Sequence, residues 1–287
     1  MTILTFMPVV LFFLWSPCSV YSGHAKDTPA PQSKIQGNDK PKPQAVVIRG
    51  EGIDMEAYLY LPKGDGPFPA IIALPGGRRS KGRVYPYHKE FGEIIVARGF
   101  AVLVLDYSNP NRRFLDTRRI QDIGAAVEFL KRQDRIQKHN IFLVGFSMGG
   151  SNALRVAGSR DDIAGLVCYF APVDWRISKY PMTRKVKQPI DYCADVLCPV
   201  LILHGDQDVA TDVKQGRHLR DTLKSFGKDA KLVIYKGGAH GFTYRGVRDT
   251  RCGYNADIAH RSFDEVEKFI KTHVKEVPAK TEQADAE

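Results

Sequence analysis

The sequence predicts an α/β domain with a mostly parallel central sheet and helices on both faces. Three observations carry this. Several strand-sized runs are apolar throughout, as at residues 69–74, 100–105 and 199–203. Strands buried on both faces read that way, whereas half-exposed strands alternate. Segments of helical spacing separate them; in 117–132, Ile120, Ile123, Val127 and Leu130 share one face. The two kinds of segment alternate along the chain, which is the order of a parallel sheet covered on both sides.

The elements follow in order. Residues 1–25 read as a targeting segment, because the apolar run over 3–15 is too short for a comfortable span of about 20 residues and small residues follow it. The protein is therefore expected to be secreted or periplasmic, without a membrane span once the segment is removed. No Lys or Arg precedes the run, so retention as a membrane anchor is the alternative. Residues 26–44 are rich in Pro, Lys, Gln and Asn and read as a flexible linker. The folded body is expected over 45–274, with a polar tail at 275–287. Within it, 45–49 and 55–61 are strand-like, and Gly64-Asp65-Gly66-Pro67 is a turn. Strands are then expected at 69–74, 100–105, 141–145, 163–170, 199–203 and 231–235. Helices are expected at 87–98, 117–132, 148–157, 213–226 and 258–272.

Composition sets the class. The 287 residues suffice for one large domain, and 43% are apolar, close to the globular norm. The formal net charge of +10 is spread over 40–42, 78–83, 112–119, 176–187 and 245–251 rather than gathered in one block. No nucleic-acid-binding signature accompanies it, so the charge reads as solvated surface and no nucleic-acid partner is expected. Removal of the leader takes Cys18 with it and leaves Cys168, Cys193, Cys198 and Cys252. Cys168 and Cys198 fall in or beside apolar runs. Cys193 and Cys252 fall in polar stretches and are the better disulfide candidates. No C-x-x-C or tight Cys/His cluster is present, so no metal site is expected.

Every chemical motif falls just after a strand, where open parallel sheets place their ligand sites. Gly145-Phe146-Ser147-Met148-Gly149-Gly150 matches G-x-S-x-G between a strand and a helix. A serine on so tight a turn projects its hydroxyl above the sheet, and the glycines leave room for the turn. The helix behind it supplies free N–H groups and partial positive charge, and Met148 N–H is the expected oxyanion donor. A serine hydroxyl needs a base. His240, in Gly237-Gly238-Ala239-His240-Gly241-Phe242, follows the 231–235 strand in a glycine-rich loop. His24, His139, His218 and His273 lie in polar or helical surface contexts, and His88 and His260 on helices. His204 ends a buried strand and reads as structural. The imidazole in turn needs a carboxylate, and His204-Gly205-Asp206-Gln207-Asp208 offers two. Leu74-Pro75-Gly76-Gly77-Arg78 lies after an earlier strand and offers Gly77 N–H as the second oxyanion donor. Arg78 and Arg79 are candidates for binding a substrate carboxylate. Tyr107, Phe242 and Phe146 are candidates for the apolar wall, with core packing the alternative for Phe146.

Taken together, these residues resemble the dienelactone hydrolase family of α/β-hydrolases. The match covers roughly 55–273 and includes the Gly-Phe-Ser-Met-Gly-Gly elbow, the His204-Gly205-x-x-Asp208 loop and Gly238-Ala239-His240-Gly241-Phe242, followed by Arg251 and Tyr254-Asn255. The resemblance implies the α/β-hydrolase fold, no cofactor and a covalent acyl-enzyme route with small ester substrates. The order serine, acid, histidine is that of this fold, and the resemblance favours Asp208 over Asp206 as the acid. Asp206, directly after the turn glycine, is then left to brace the loop. Dienelactone hydrolases proper use a cysteine nucleophile, whereas this chain has Ser147. The acidic residue of their oxyanion-side loop has no counterpart in Pro75-Gly76-Gly77-Arg78. The excursion over 174–197 is where a lid or substrate wall would be inserted. Two other readings stand beside the esterase: a peptidase of the prolyl oligopeptidase kind, and a non-catalytic binding protein on a hydrolase fold. Oligomeric state is not readable from the sequence.

Overall fold

The structure, a computed structural model, describes residues 42–77, 86–108, 113, 115–178 and 186–276. The expected targeting segment, nearly all of the expected linker and most of the expected tail lie outside the described residues. In chain order come β1 (Gln44–Arg49), β2 (Asp54–Tyr60), β3 (Phe68–Leu74), α1 (Pro86–Val96), β4 (Ala101–Leu105), α2 (Arg118–Lys131) and β5 (Ile136–Phe146). They are followed by α3 (Met148–Ala157), β6 (Gly165–Tyr169), β7 (Val200–Gly205), α4 (Lys214–Ser225), β8 (Ala230–Tyr235) and α5 (Ala256–His273). Short 3-10 turns at Trp175–Ile177 and Pro189–Asp195 lie between β6 and β7.

The strands form one sheet of 8 in the order β1-β2-β4-β3-β5-β6-β7-β8. β1 and β2 pair antiparallel, as do β2 and β4; all pairs from β4 to β8 are parallel. Burial explains the sequence patterns. β4, β6 and β7 are buried at every position, because helices cover both faces. β2 alternates, and β1, at the sheet's edge, is mostly exposed.

Alternate residues of one strand feed two cores. Ala70, Ile72 and Leu74 pack with residues of α2, α3 and α4. Ile71 and Ala73 pack on the other face with Phe91 and Ile95 of α1 and Phe263 and Val266 of α5. Each aliphatic side chain so buried contributes about 1.5–3 kcal/mol. A one-residue slip of β3 would exchange the two cores and is disfavoured accordingly. α3 is covered on all sides, with everything from Gly149 to Ala157 buried. Its Arg155 is accommodated by bonds to Asn152 Oδ1 at 3.0 Å and to the carbonyls of Leu115 at 3.0 Å and Asp116 at 3.2 Å.

The disulfide expectation needs correction. Among the described residues Cys168, Cys193, Cys198 and Cys252 are free thiols. Cys193 does not sit in a polar loop: the Pro189–Asp195 turn carries it into the core, with Cys168 and Cys198 in the same apolar cluster. Its polar sequence neighbours hid this, because a 3-10 turn points adjacent residues in different directions. Among the described residues no helix is long and apolar enough to cross a membrane.

Candidate active site

Parallel register brings several strand ends to one rim. Leu74 pairs with Gly145, Phe146 with Tyr169, and Gly205 with Tyr235. The loops that leave these ends carry Gly76, Ser147, Asp208 and His240.

Ser147 joins β5 to α3 at φ 51° and ψ −119°, a region non-glycine residues rarely occupy. Strain of this kind costs of order 1–3 kcal/mol and persists only where the surroundings enforce it. They do so here. Ser147 N–H donates to the Tyr169 carbonyl at 2.8 Å, and Gly150 N–H donates to the Ser147 carbonyl at 2.9 Å. The turn is closed so tightly that a Cβ on Gly149 would lie 2.0 Å from the Leu74 carbonyl oxygen. Met148 is the first residue of α3, so its N–H has no partner within the helix.

His240 follows β8. Its loop is held by Gly253 N–H donating to the His240 carbonyl at 3.0 Å and Asn255 N–H donating to the Phe242 carbonyl at 3.0 Å. Asn255 also caps α5, its side chain accepting from Ile258 N–H at 3.0 Å. The Tyr254-Asn255 part of the sequence motif thus fastens the histidine loop to the last helix. The ring of Phe170 meets the imidazole edge-on, with centroids 4.8 Å apart.

The side chains of Ser147, His240 and Asp208 come together at this rim. His240 Nε2 lies 3.1 Å from Ser147 Oγ, and His240 Nδ1 lies 2.8 Å from Asp208 Oδ2. With Nδ1 protonated and donating to the carboxylate, Nε2 is left to accept the serine proton. The other carboxylate oxygen, Asp208 Oδ1, accepts from Ala210 N–H at 2.9 Å and Thr211 N–H at 2.6 Å. Burial pushes the Asp208 carboxyl up, but bonding from His204 and His240 outweighs it, and the group stands below its ordinary value. It is therefore a carboxylate at neutral pH. All three residues are close to buried, Ser147 at 9%, Asp208 at 7% and His240 at 8% exposure. Asp206 is placed differently: its Oδ1 accepts from Gly237 N–H at 2.7 Å, bracing the histidine loop.

The remaining site residues divide. Gly77 follows β3 at φ +96°, open to glycine alone without strain, and a Cβ there would meet nothing within 4 Å. Tyr107 is buried, and its Oη donates to the Pro75 carbonyl at 2.8 Å, so it braces the Gly76-Gly77 loop rather than forming an open wall. Phe242 is a correction: it is fully buried among Tyr169, Phe170 and Tyr235 and belongs to the core. Its place two residues after His240 makes it a candidate for the apolar wall, but the aromatic cluster beneath the loop draws it in. Phe146 likewise packs inside, against Phe91 and Tyr169. Arg78 and Arg79 lie outside the described residues. Among the described residues no group of three His, Cys, Asp or Glu is placed to hold a metal ion.

His204, which the sequence marks as structural, stands beside the carboxylate, and Tyr244 is a rim residue that the sequence did not single out. His204 Nε2 donates to the Thr211 carbonyl at 2.8 Å and lies 3.4 Å from Asp208 Oδ2. Tyr244 is 6% exposed, and its hydroxyl has no hydrogen-bond partner among the described residues. Only the four-residue step from His204 to Asp208 was visible beforehand.

The sheet order and the rim it builds are those of the α/β-hydrolase class. A model of the dienelactone hydrolase family matches residues 55–274. The chain belongs to that family. One relative, from Bradyrhizobium and named "Probable 2-oxo-3-(5-oxofuran-2-ylidene)propanoate lactonase", is 25% identical over 244 residues, covering 80% of this chain and 94% of its own. Among solved structures, Est1E from Butyrivibrio proteoclasticus superposes with a TM-score of 0.60 at 20% identity, covering 80% of this chain and 98% of that one. Pyrococcus horikoshii acylaminoacyl peptidase superposes with a TM-score of 0.69 at 18% identity; 84% of this chain is covered but only 43% of the peptidase.

Proposed function

We propose that this chain is a serine hydrolase that cleaves carboxylic ester bonds of small substrates through an acyl-enzyme intermediate, with Ser147, His240 and Asp208 as its triad. The observation that carries the reading is the relay of 3.1 Å from Ser147 Oγ to His240 Nε2 and 2.8 Å from His240 Nδ1 to Asp208. It stands on a strained strand-to-helix turn at the mouth of a helix N-terminus. The lactonase name of one relative supports the bond type, since a lactone is a cyclic ester.

The chemistry runs in two halves. Ser147 Oγ attacks the ester carbonyl carbon while its proton passes to His240 Nε2. The carbonyl oxygen becomes an oxyanion, held by the N–H groups of Met148 and Gly77. The C–O bond to the alcohol breaks, and the leaving alkoxide takes the proton from His240. Water then gives a proton to His240 as its oxygen attacks the acyl carbon. Collapse of the second oxyanion releases the carboxylic acid and returns the proton to Ser147. Asp208 stays ionised throughout, fixing the ring tautomer and stabilising the imidazolium.

The test is hydrolysis of p-nitrophenyl acetate by the wild-type protein and by Ser147→Ala. Serine-dependent turnover is the expected result. Equal rates in both would overturn the reading, and preference for amides with defined side chains would move it to the peptidases. Esters of varied acyl length, with and without a free carboxylate, then define the substrate.

A further inference from the structure

Tyr244 stands out among the aromatic residues near the rim. Its ring is locked: it stacks on Tyr87 at 4.1 Å between centroids and meets Phe170 edge-on at 5.4 Å and 89°. The hydroxyl cannot swing away to seek water without breaking these contacts. A buried hydroxyl without a partner costs about 1–3 kcal/mol, and native proteins leave few of them. The position of this one is specific. From the point where Gly76 lacks a Cβ, Ser147 Cβ is 3.0 Å away and Tyr244 Oη 3.2 Å away. Nucleophile and phenol therefore flank the same side of Gly76, next to Gly77 and the start of α3. Burial holds the phenol protonated well beyond its ordinary range, so its O–H is available to donate throughout the neutral region.

We propose that Tyr244 Oη is a third hydrogen-bond donor to the oxyanion that forms when a substrate carbonyl is attacked by Ser147. The inference rests on the ester-hydrolase reading above and adds a catalytic residue to it. The hydroxyl, without a partner among the described residues, gains one in the transition state: the substrate oxygen, as it gains negative charge, takes the phenol hydrogen bond. A donor that strengthens its bond only as charge develops raises turnover rather than ground-state binding.

The test is Tyr244→Phe in the full chain, which keeps the ring and removes the oxygen alone. With p-nitrophenyl acetate, kcat is expected to fall by about 10²-fold, the usual consequence of losing one such donor, with KM nearly unchanged. Inhibition by phenylboronic acid, which becomes tetrahedral on the serine, should weaken in proportion. The melting temperature should hold or rise, because no hydrogen bond among the described residues is lost. Wild-type kcat and boronate affinity in Tyr244→Phe would overturn the assignment. A fall in activity matched by a fall in melting temperature would also overturn it, marking the hydroxyl as structural. Ser147→Ala separates the two levels: if it is inactive while Tyr244→Phe is unimpaired, only the role of Tyr244 fails. If Ser147→Ala keeps the wild-type rate, the ester-hydrolase reading fails and takes this inference with it.

Discussion

His204 Nε2 lies 3.4 Å from Asp208 Oδ2, the same oxygen that receives His240 Nδ1 at 2.8 Å. One carboxylate oxygen thus faces two imidazoles, one on either side. His204 is wholly buried, and its Nε2–H also donates to the Thr211 carbonyl. Removing that donor leaves Asp208 more basic and its hold on a protonated His240 stronger. His204→Asn is therefore expected to move the acid limb of the kcat/KM profile to higher pH. It should also cost about 1–3 kcal/mol of stability, the scale of a lost buried hydrogen bond. A pH–rate series alongside denaturant unfolding checks both, and an unmoved limb would show that His204 only packs.

The two carboxylates of the acid loop should separate cleanly. Asp208→Asn keeps the shape but removes the charge and lets the wrong tautomer form, so kcat should drop by about 10⁴-fold. Asp206→Asn retains an oxygen to accept from Gly237 N–H and should stay within about tenfold of wild type, since only the charge assistance of one loop hydrogen bond, about 1 kcal/mol, is lost. Equal and mild losses in a p-nitrophenyl ester assay would contradict the placement of Asp208 in the relay.

Acid should destabilise the fold through His88. Burial lowers its pKa from 6.5 to about 3. The unfolded chain binds this proton below 6.5 and the folded one does not. The contribution is therefore fully present above pH 6.5, is lost as pH falls, and levels off near 3. The limiting slope is about 1.4 kcal/mol per pH unit for one proton. In denaturant unfolding at pH 7 and pH 4.5, His88→Gln should lose less stability on acidification than wild type does.

Gly149 admits no side chain. A Cβ 2.0 Å from the Leu74 carbonyl would push β3 from the elbow, and backbone cannot yield as a side chain can. Gly149→Ala is expected to abolish ester turnover and lower the melting temperature. A folded variant with wild-type kcat would show that the turn is looser than the distances require.

Much of this molecule was legible in its sequence for definite reasons. Strands buried on both faces must be apolar at every position, so β4 and β7 were visible to within a residue or two. The elbow was visible because its geometry demands glycine at fixed offsets from Ser147, and α3 begins and ends where the pattern placed it. Contacts set by tertiary packing were not legible. Phe242 and Cys193 have polar neighbours in sequence but apolar neighbours in space. Tyr244 reads as an ordinary loop tyrosine until the fold sets its hydroxyl beside Gly76. The choice between Asp206 and Asp208 depended on which way a short loop turns, which spacing alone does not specify. β5 begins earlier than its apolar run because Ile136 pairs with Phe68 across an irregular register.

The backbone of Ser147, held at φ 51° by its surroundings, has a consequence for anyone improving this protein. A library screened only for survival of heating would reward whatever lets that turn unwind into a commoner conformation. Each round would yield hardier molecules with a misaimed hydroxyl, and the decline would pass unseen unless turnover were scored at every step.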